Sequence, residues 1–162
     1  LTALGQRHPV TRALPGSEQS PPAWGEWLRL LGSEVRNGTT VMQGADDKPL
    51  LVLRREDKGR VALLLSDHAW LWARGFREGG PHLDLLRRLA HWLMKEPGLE
   101  EEALRASAVN RDIRIERQTM GEEAAPVRVV APSGAERTIA LEPEKPGLFT
   151  AQVPARELGL HT

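Results

Sequence analysis

The sequence predicts an α/β layer followed by a small all-β unit, and three observations carry that prediction. Val61-Ala62-Leu63-Leu64-Leu65 is apolar without polar alternation, the pattern of a strand covered on both faces. A sheet covered on both sides needs helices against it. Leu85, Leu86, Leu89, Ala90, Leu93 and Met94 form an apolar stripe behind Pro81, at the spacing of one helix face. Near Asn110 the composition changes, and short β-like runs then alternate with turn residues.

Taken in order, residues 1–22 read as loop, because Pro9, Pro15, Gly16, Pro21 and Pro22 punctuate them. Trp24, Trp27, Leu28 and Leu31 fall at i, i+3, i+4 and i+7, which predicts a helix over residues 22–31 ending at Gly32. Asn37-Gly38 signals a turn before a strand at Thr39–Gln43. Residues 50–54 and 60–65 flank a short polar link carrying Gly59, so they read as an antiparallel hairpin. The second arm is expected in the sheet interior. Residues 69–74 give one helical turn. Pro81 suits the first turn of a helix running through Glu96, and Pro97-Gly98 stops it. Residues 99–106, Glu-rich at their start, are expected as a further short helix. Beyond Asn110, strands are expected around Ile113, Val127, residues 138–141 and residues 148–153, with Pro132-Ser133-Gly134 and Pro146-Gly147 as turns. Four short strands suggest a β-sandwich. They are few for a closed one, so the reading includes truncation, with either self-association through an unfinished sheet edge or poor order of this unit as its consequence.

Composition narrows the function classes. Lys+Arg and Asp+Glu both number 22, so the basic excess that drives phosphate neutralisation is missing. No nucleic acid is expected as a partner. Cysteine is absent, which excludes a disulfide framework, a thiolate metal site and a Cys nucleophile within this stretch. No apolar run reaches the ~20 residues of a membrane span. No signal-peptide pattern stands at Leu1, and the chain reads as a fragment. His82 and His91 lack the i, i+4 spacing of a shared metal face. No Gly-rich phosphate fingerprint is present. Neither a metal nor a cofactor is expected.

Longer motifs carry a family resemblance. His8-Pro9-Val10-Thr11 is similar to the His-Pro-Ile-Thr element of trehalose-utilisation-type domains. The stretch from Gly59 through Leu65 to Asp67, followed by Trp70-Leu71-Trp72-Ala73-Arg74-Gly75, and the stretch from Leu86 through Trp92 to Pro97 resemble class I glutamine amidotransferase-like domains of large bacterial membrane proteins. Residues 1–107 resemble the C-terminal half of such a domain. Residues 108–162 resemble the immunoglobulin-like segment that follows it. The resemblance implies a partial flavodoxin-like α/β layer and an immunoglobulin-like sandwich. It also implies a membrane-tethered protein of the bacterial envelope with its soluble part in the periplasm. Membrane contact would come only through flanking segments, and the partners would be another protein or the remaining domains of the chain.

Active members of that family pair a Cys on a strand–helix elbow with a His-Pro-Glu after a late strand. Here the late strand is followed by Ser66-Asp67-His68-Ala69-Trp70. His68 stands near the position of the base, and Trp70 stands where the orienting carboxylate belongs. The resemblance therefore implies a non-catalytic binding or interaction module. The alternative is an amidotransferase or related hydrolase whose Cys lies upstream of Leu1. The catalytic candidates are His68, Asp67 and Ser66, at the strand end where α/β sheets hold ligands. Ser66 or Asp67 equally suits a cap for the following turn. The ligand-binding candidates are Trp70 and Trp72, by stacking, and His8; the tryptophans equally suit core packing.

Overall fold

A computed structural model describes residues 1–162 and divides them into two compact units, Leu1–Glu100 and Glu101–Thr162. In the first unit, helix α1 (Ala3–Arg7) stands where loop was expected. Thr2 caps it, its Oγ1 accepting from Gly5 N at 2.9 Å and donating to Thr40 O at 2.8 Å. Gly5 is required there, since a Cβ would lie 1.8 Å from Val41 O. The turn that follows buries His8, Val10 and Thr11. From the third helix, Arg88 holds this turn by donating to Arg12 O at 2.5 Å.

Strands β1 (Thr39–Gln43), β2 (Pro49–Glu56) and β3 (Gly59–Leu64) form a sheet in that order. The expected hairpin is present, with Leu51 opposite Leu64 and Leu53 opposite Ala62. The expected place of its second arm is not. β3 lies at the sheet edge, and its exposure alternates along the strand. The strand buried on both faces is β2, through Leu50, Leu51, Val52 and Leu53. Helices α2 (Ala69–Ala73) and α3 (His82–Leu93) follow where helix was expected. α3 packs on β3 and α2, and Trp92 and Leu85 enter a core with Val10, Leu14, Val41 and Leu51.

Two expected helices are absent. Residues 22–31 form no helix, because their backbone bonds elsewhere. Gly25 N donates to Gly79 O, Gly25 O accepts from Trp72 Nε1, and Leu31 N donates to Leu65 O. Residues 99–106 are not helical either. Strand β4 (Ala103–Val109) pairs along its whole length with β5 (Asp112–Gln118). Asn110 between them takes a left-handed φ of 58°, which Asn tolerates and tight hairpins need.

The second unit is all antiparallel. β4, β5, β9 (Leu148–Pro154) and β8 (Glu142–Lys145) form one sheet in that order. β6 (Val127–Val130) and β7 (Glu136–Ile139) form a separate hairpin. The buried apolar residues of this second unit are Ile115, Phe149 and Val153.

The expected flavodoxin-like α/β layer is thus overturned. Such a layer requires parallel strands joined by crossover helices, and every strand pair of this chain is antiparallel. The protein is mostly β with three short helices. No helix is long and apolar enough to cross a membrane.

Candidate functional site

A concavity in the first unit is built around three tryptophans. Helix α2 carries Trp72, whose ring lies so close to Gly80 that a Cβ there would sit 2.4 Å from it. Its Nε1 donates to Gly25 O at 2.6 Å and anchors the irregular segment that bears Trp24 and Trp27. The Trp27 and Trp72 ring centroids are 4.6 Å apart, and those of Trp24 and Trp72 are 5.4 Å apart. Such tilted pairs stabilise by about 0.5–1.5 kcal/mol beyond the area they bury. Trp24 Nε1 donates to Pro15 O at 2.7 Å. Trp27 Nε1 is buried and has no acceptor.

These indoles border a cavity of about 480 Å³, whose wall is completed by Pro21, Pro22, Leu30, Met42 and Leu50. The charged side chains in its wall are Glu26 and Arg29. Arg77 bonds Glu26 at 2.5 Å, and Arg29 lies 3.6 Å from Asp67. A smaller cavity of about 260 Å³ in the second unit is lined by Ile113, Val129 and Val153 together with Arg137, Glu157 and His161.

The residues singled out from sequence separate in space. Trp72 borders the tryptophan cavity, whereas Trp70 is exposed and does not. His8 is buried, its Nδ1 accepting from Val10 N at 3.2 Å and its ring set edge-on to Trp92. It holds the turn after α1. Ser66 is buried; its Oγ donates to Arg29 O at 2.6 Å and accepts from His68 N at 3.2 Å. It caps the strand end and ties down the tryptophan segment. Asp67 Oδ1 is 3.7 Å from His68 Nε2, beyond hydrogen-bond reach. His68 Nδ1 is buried without a partner.

Trp24 and Trp27 are the cavity residues that sequence reasoning placed on a helix face instead. Pro21-Pro22 and Gly25 were the signal against that helix, since both break helical backbone. The chain gathers no cluster of His, Asp or Glu able to hold a metal ion. No protein-family model, curated protein or solved structure matches the chain detectably.

Proposed function

We propose that the chain is a non-catalytic binding and interaction module whose ligand site is the tryptophan cavity. The observation that carries the reading is this cavity, walled by three indoles, with those of Trp24 and Trp27 both packed on that of Trp72. Its volume falls in the range of small-molecule sites, roughly 300–1,000 Å³, and it combines apolar walls with few polar groups as such sites do. The ligand class it suits has an apolar body and one polar end. Glu26 is tied to Arg77 at 2.5 Å, whereas Arg29 is held only by its longer, solvent-exposed contact with Asp67 at 3.6 Å, which leaves Arg29 the charge that favours a negative end.

The catalytic candidates support a binding role. A serine nucleophile needs its proton directed at a base, and the Ser66 hydroxyl donates to a carbonyl instead. A histidine base needs an orienting bond, and the Asp67–His68 separation is too long for one. The sequence resemblance is the support for the remainder of the reading: a module tethered to a bacterial envelope, on its periplasmic side, facing another protein or further domains of its own chain.

Two measurements test it. Titration with octanoate should change tryptophan emission saturably. Octylamine should bind more weakly, and Ala45→Phe, which fills the cavity from its rim, should abolish the response. Incubation with glutamine should release no glutamate. Sustained release that disappears in His68→Ala would overturn the non-catalytic reading, and an unchanged octanoate response in Ala45→Phe would overturn the site.

A further inference from the structure

The second unit carries an inference independent of the tryptophan cavity. Its cavity of about 260 Å³ takes one wall from the four-stranded sheet and one from the β6–β7 hairpin. Ile113 of β5 stands opposite Val153 of β9, and Val129 of β6 stands opposite Arg137 of β7. Residues directly opposite in an antiparallel pair share a face, and both pairs line the cavity. Val153 is buried, and Ile113 and Val129 are partly buried, which makes the floor apolar. The segment after β9 closes a third side. Ala155 N donates to Arg111 O at 2.8 Å, and Thr162 exchanges two backbone bonds with Val130, at 3.0 and 2.6 Å. Held at both ends, this segment sets Arg156, Glu157 and His161 in the wall.

The charges at this cavity are not balanced within the protein. Elsewhere in the unit, Arg114 meets Glu116 and Glu144, Arg117 meets Glu102, and Arg128 meets Glu136. The side chains of Arg137 and Arg156 have no hydrogen-bond or ion-pair partner. The carboxylate next to each in sequence is committed elsewhere. Glu136 alternates to the other face of β7 and serves Arg128. Glu157 is the one carboxylate in the wall, and both its oxygens are turned onto Ser133. Oε2 accepts from Ser133 N at 2.9 Å, and Oε1 accepts from Ser133 Oγ at 2.8 Å. Two guanidiniums without a counterion thus border an apolar floor, and His161 brings a ring nitrogen to the same wall.

We propose that this cavity binds a small phosphomonoester, with its apolar body on Ile113, Val129 and Val153 and its phosphate held by Arg137 and Arg156. Guanidinium suits phosphate oxygens, which it bonds in pairs. Two guanidiniums match the charge of about −1.5 to −2 that a phosphomonoester carries at neutral pH, and a carboxylate supplies only one. The volume lies just under the range of drug-sized sites, about 300–1,000 Å³, so the body is limited to about one ring. Arg137 and Arg156 are exposed, and water and salt weaken the attraction of exposed charges. Dissociation is accordingly on the order of 0.1–1 mM for so small a ligand.

Titration of the isotope-labelled whole chain with phenyl phosphate, followed by amide shifts, tests this. The amides of Ala131, Ala135 and Val153, which line the cavity, should move saturably. Benzoate should bind more weakly for its smaller charge, and inorganic phosphate for leaving the floor unused. Phenol should not move these amides. Arg137→Gln and Arg156→Gln should each weaken phenyl phosphate about tenfold, the loss of a charge-assisted contact, with the amide spectrum away from the cavity unchanged. Arg74→Gln, at an exposed arginine of the first unit, and Ala45→Phe should leave the binding as it is. No saturable shift up to about 10 mM, tenfold above the weakest dissociation expected, overturns the proposal. So does undiminished binding in either folded glutamine variant. Benzoate binding as tightly would assign the site to carboxylates, inorganic phosphate binding as tightly would remove the apolar body, and phenol binding as tightly would remove the charge. Each of these overturns the phosphomonoester.

Discussion

Replacing Glu100 with Gln should destabilise the first unit by about 2 kcal/mol. Glu100 accepts from Arg55 at 2.5 Å and from Arg60. Arg55 is half exposed, and an exposed pair contributes only about 0–1 kcal/mol. The Arg60 side chain is 3% exposed, so its bond to a carboxylate falls in the stronger class, about 1.5–3 kcal/mol. Gln retains one acceptor but no charge, which leaves a buried guanidinium short of its counterion. Arg60 still has Trp92 O at 2.6 Å and the Trp92 ring beneath it, so the loss stays below the 3–5 kcal/mol of a fully broken buried pair. All five tryptophans, at 24, 27, 70, 72 and 92, lie in the first unit. Tryptophan emission in urea therefore reports that unit alone. With a slope near 1–2 kcal/mol per molar, the midpoint should fall by roughly 1–2 M. The pH dependence is a second signature. Burial pushes the Glu100 carboxyl up, but the hydrogen bonds and charges of Arg55 and Arg60 outweigh this and hold it below its ordinary 4.5. Its contribution is then complete above pH 4.5 and is lost as pH falls through the lower, folded value. The gap between wild type and Glu100→Gln should close in acid. A difference under about 0.5 kcal/mol at neutral pH, or a gap that does not narrow in acid, would refute the reasoning.

Three more substitutions probe the architecture. Gly25→Ala would place a Cβ 2.4 Å from Phe76 O and 2.6 Å from Arg77 O; since backbone atoms cannot yield, it should cost about 1–3 kcal/mol and weaken octanoate binding. Trp92→Ala removes a fully buried ring that carries the edge of His8 and the Arg60 guanidinium, and should cost about 3–5 kcal/mol by urea unfolding on the remaining tryptophans. Glu102→Ala removes the acceptor of Arg117 Nη2, Thr119 Oγ1 and Met120 N. It should cost about 1–3 kcal/mol, read as faster amide exchange at Met120.

Local patterns in the sequence led to β1, the β2–β3 hairpin, α2, α3 and the runs that became β5, β6, β7 and β9. Each carries its own signal, such as a turn residue, an alternation or a capped stripe. The failures came where bonds to another segment overrode local preference. Residues 22–31 have helical spacing, yet Gly25 gives its N–H and C=O to Gly79 and Trp72. Residues 103–109 contain helix-favouring Ala, Leu and Arg, yet β5 claims them along their full length. The α/β reading failed at one inference. An unbroken apolar run does not by itself mean cover on both faces: β2 has that cover and β3 does not. At the site, Trp72 was visible as a ligand candidate, but the cavity exists only because Trp24 and Trp27 leave the helix their spacing suggests.

The sparse core of the second unit has a consequence for how the chain comes apart. Ile115, Phe149 and Val153 are its buried apolar residues, while β4, β7 and β8 are largely exposed. Cohesion there rests on backbone ladders and on surface ion pairs such as Arg114 with Glu144 and Arg128 with Glu136, which are individually weak. The first unit instead encloses Trp92, Leu14, Leu51 and Leu85 almost completely. Opening therefore begins in residues 101–162, which behave as the less stable foldon. A protease or a pulling force meets that unit as the fuse, and the tryptophan cavity outlasts it.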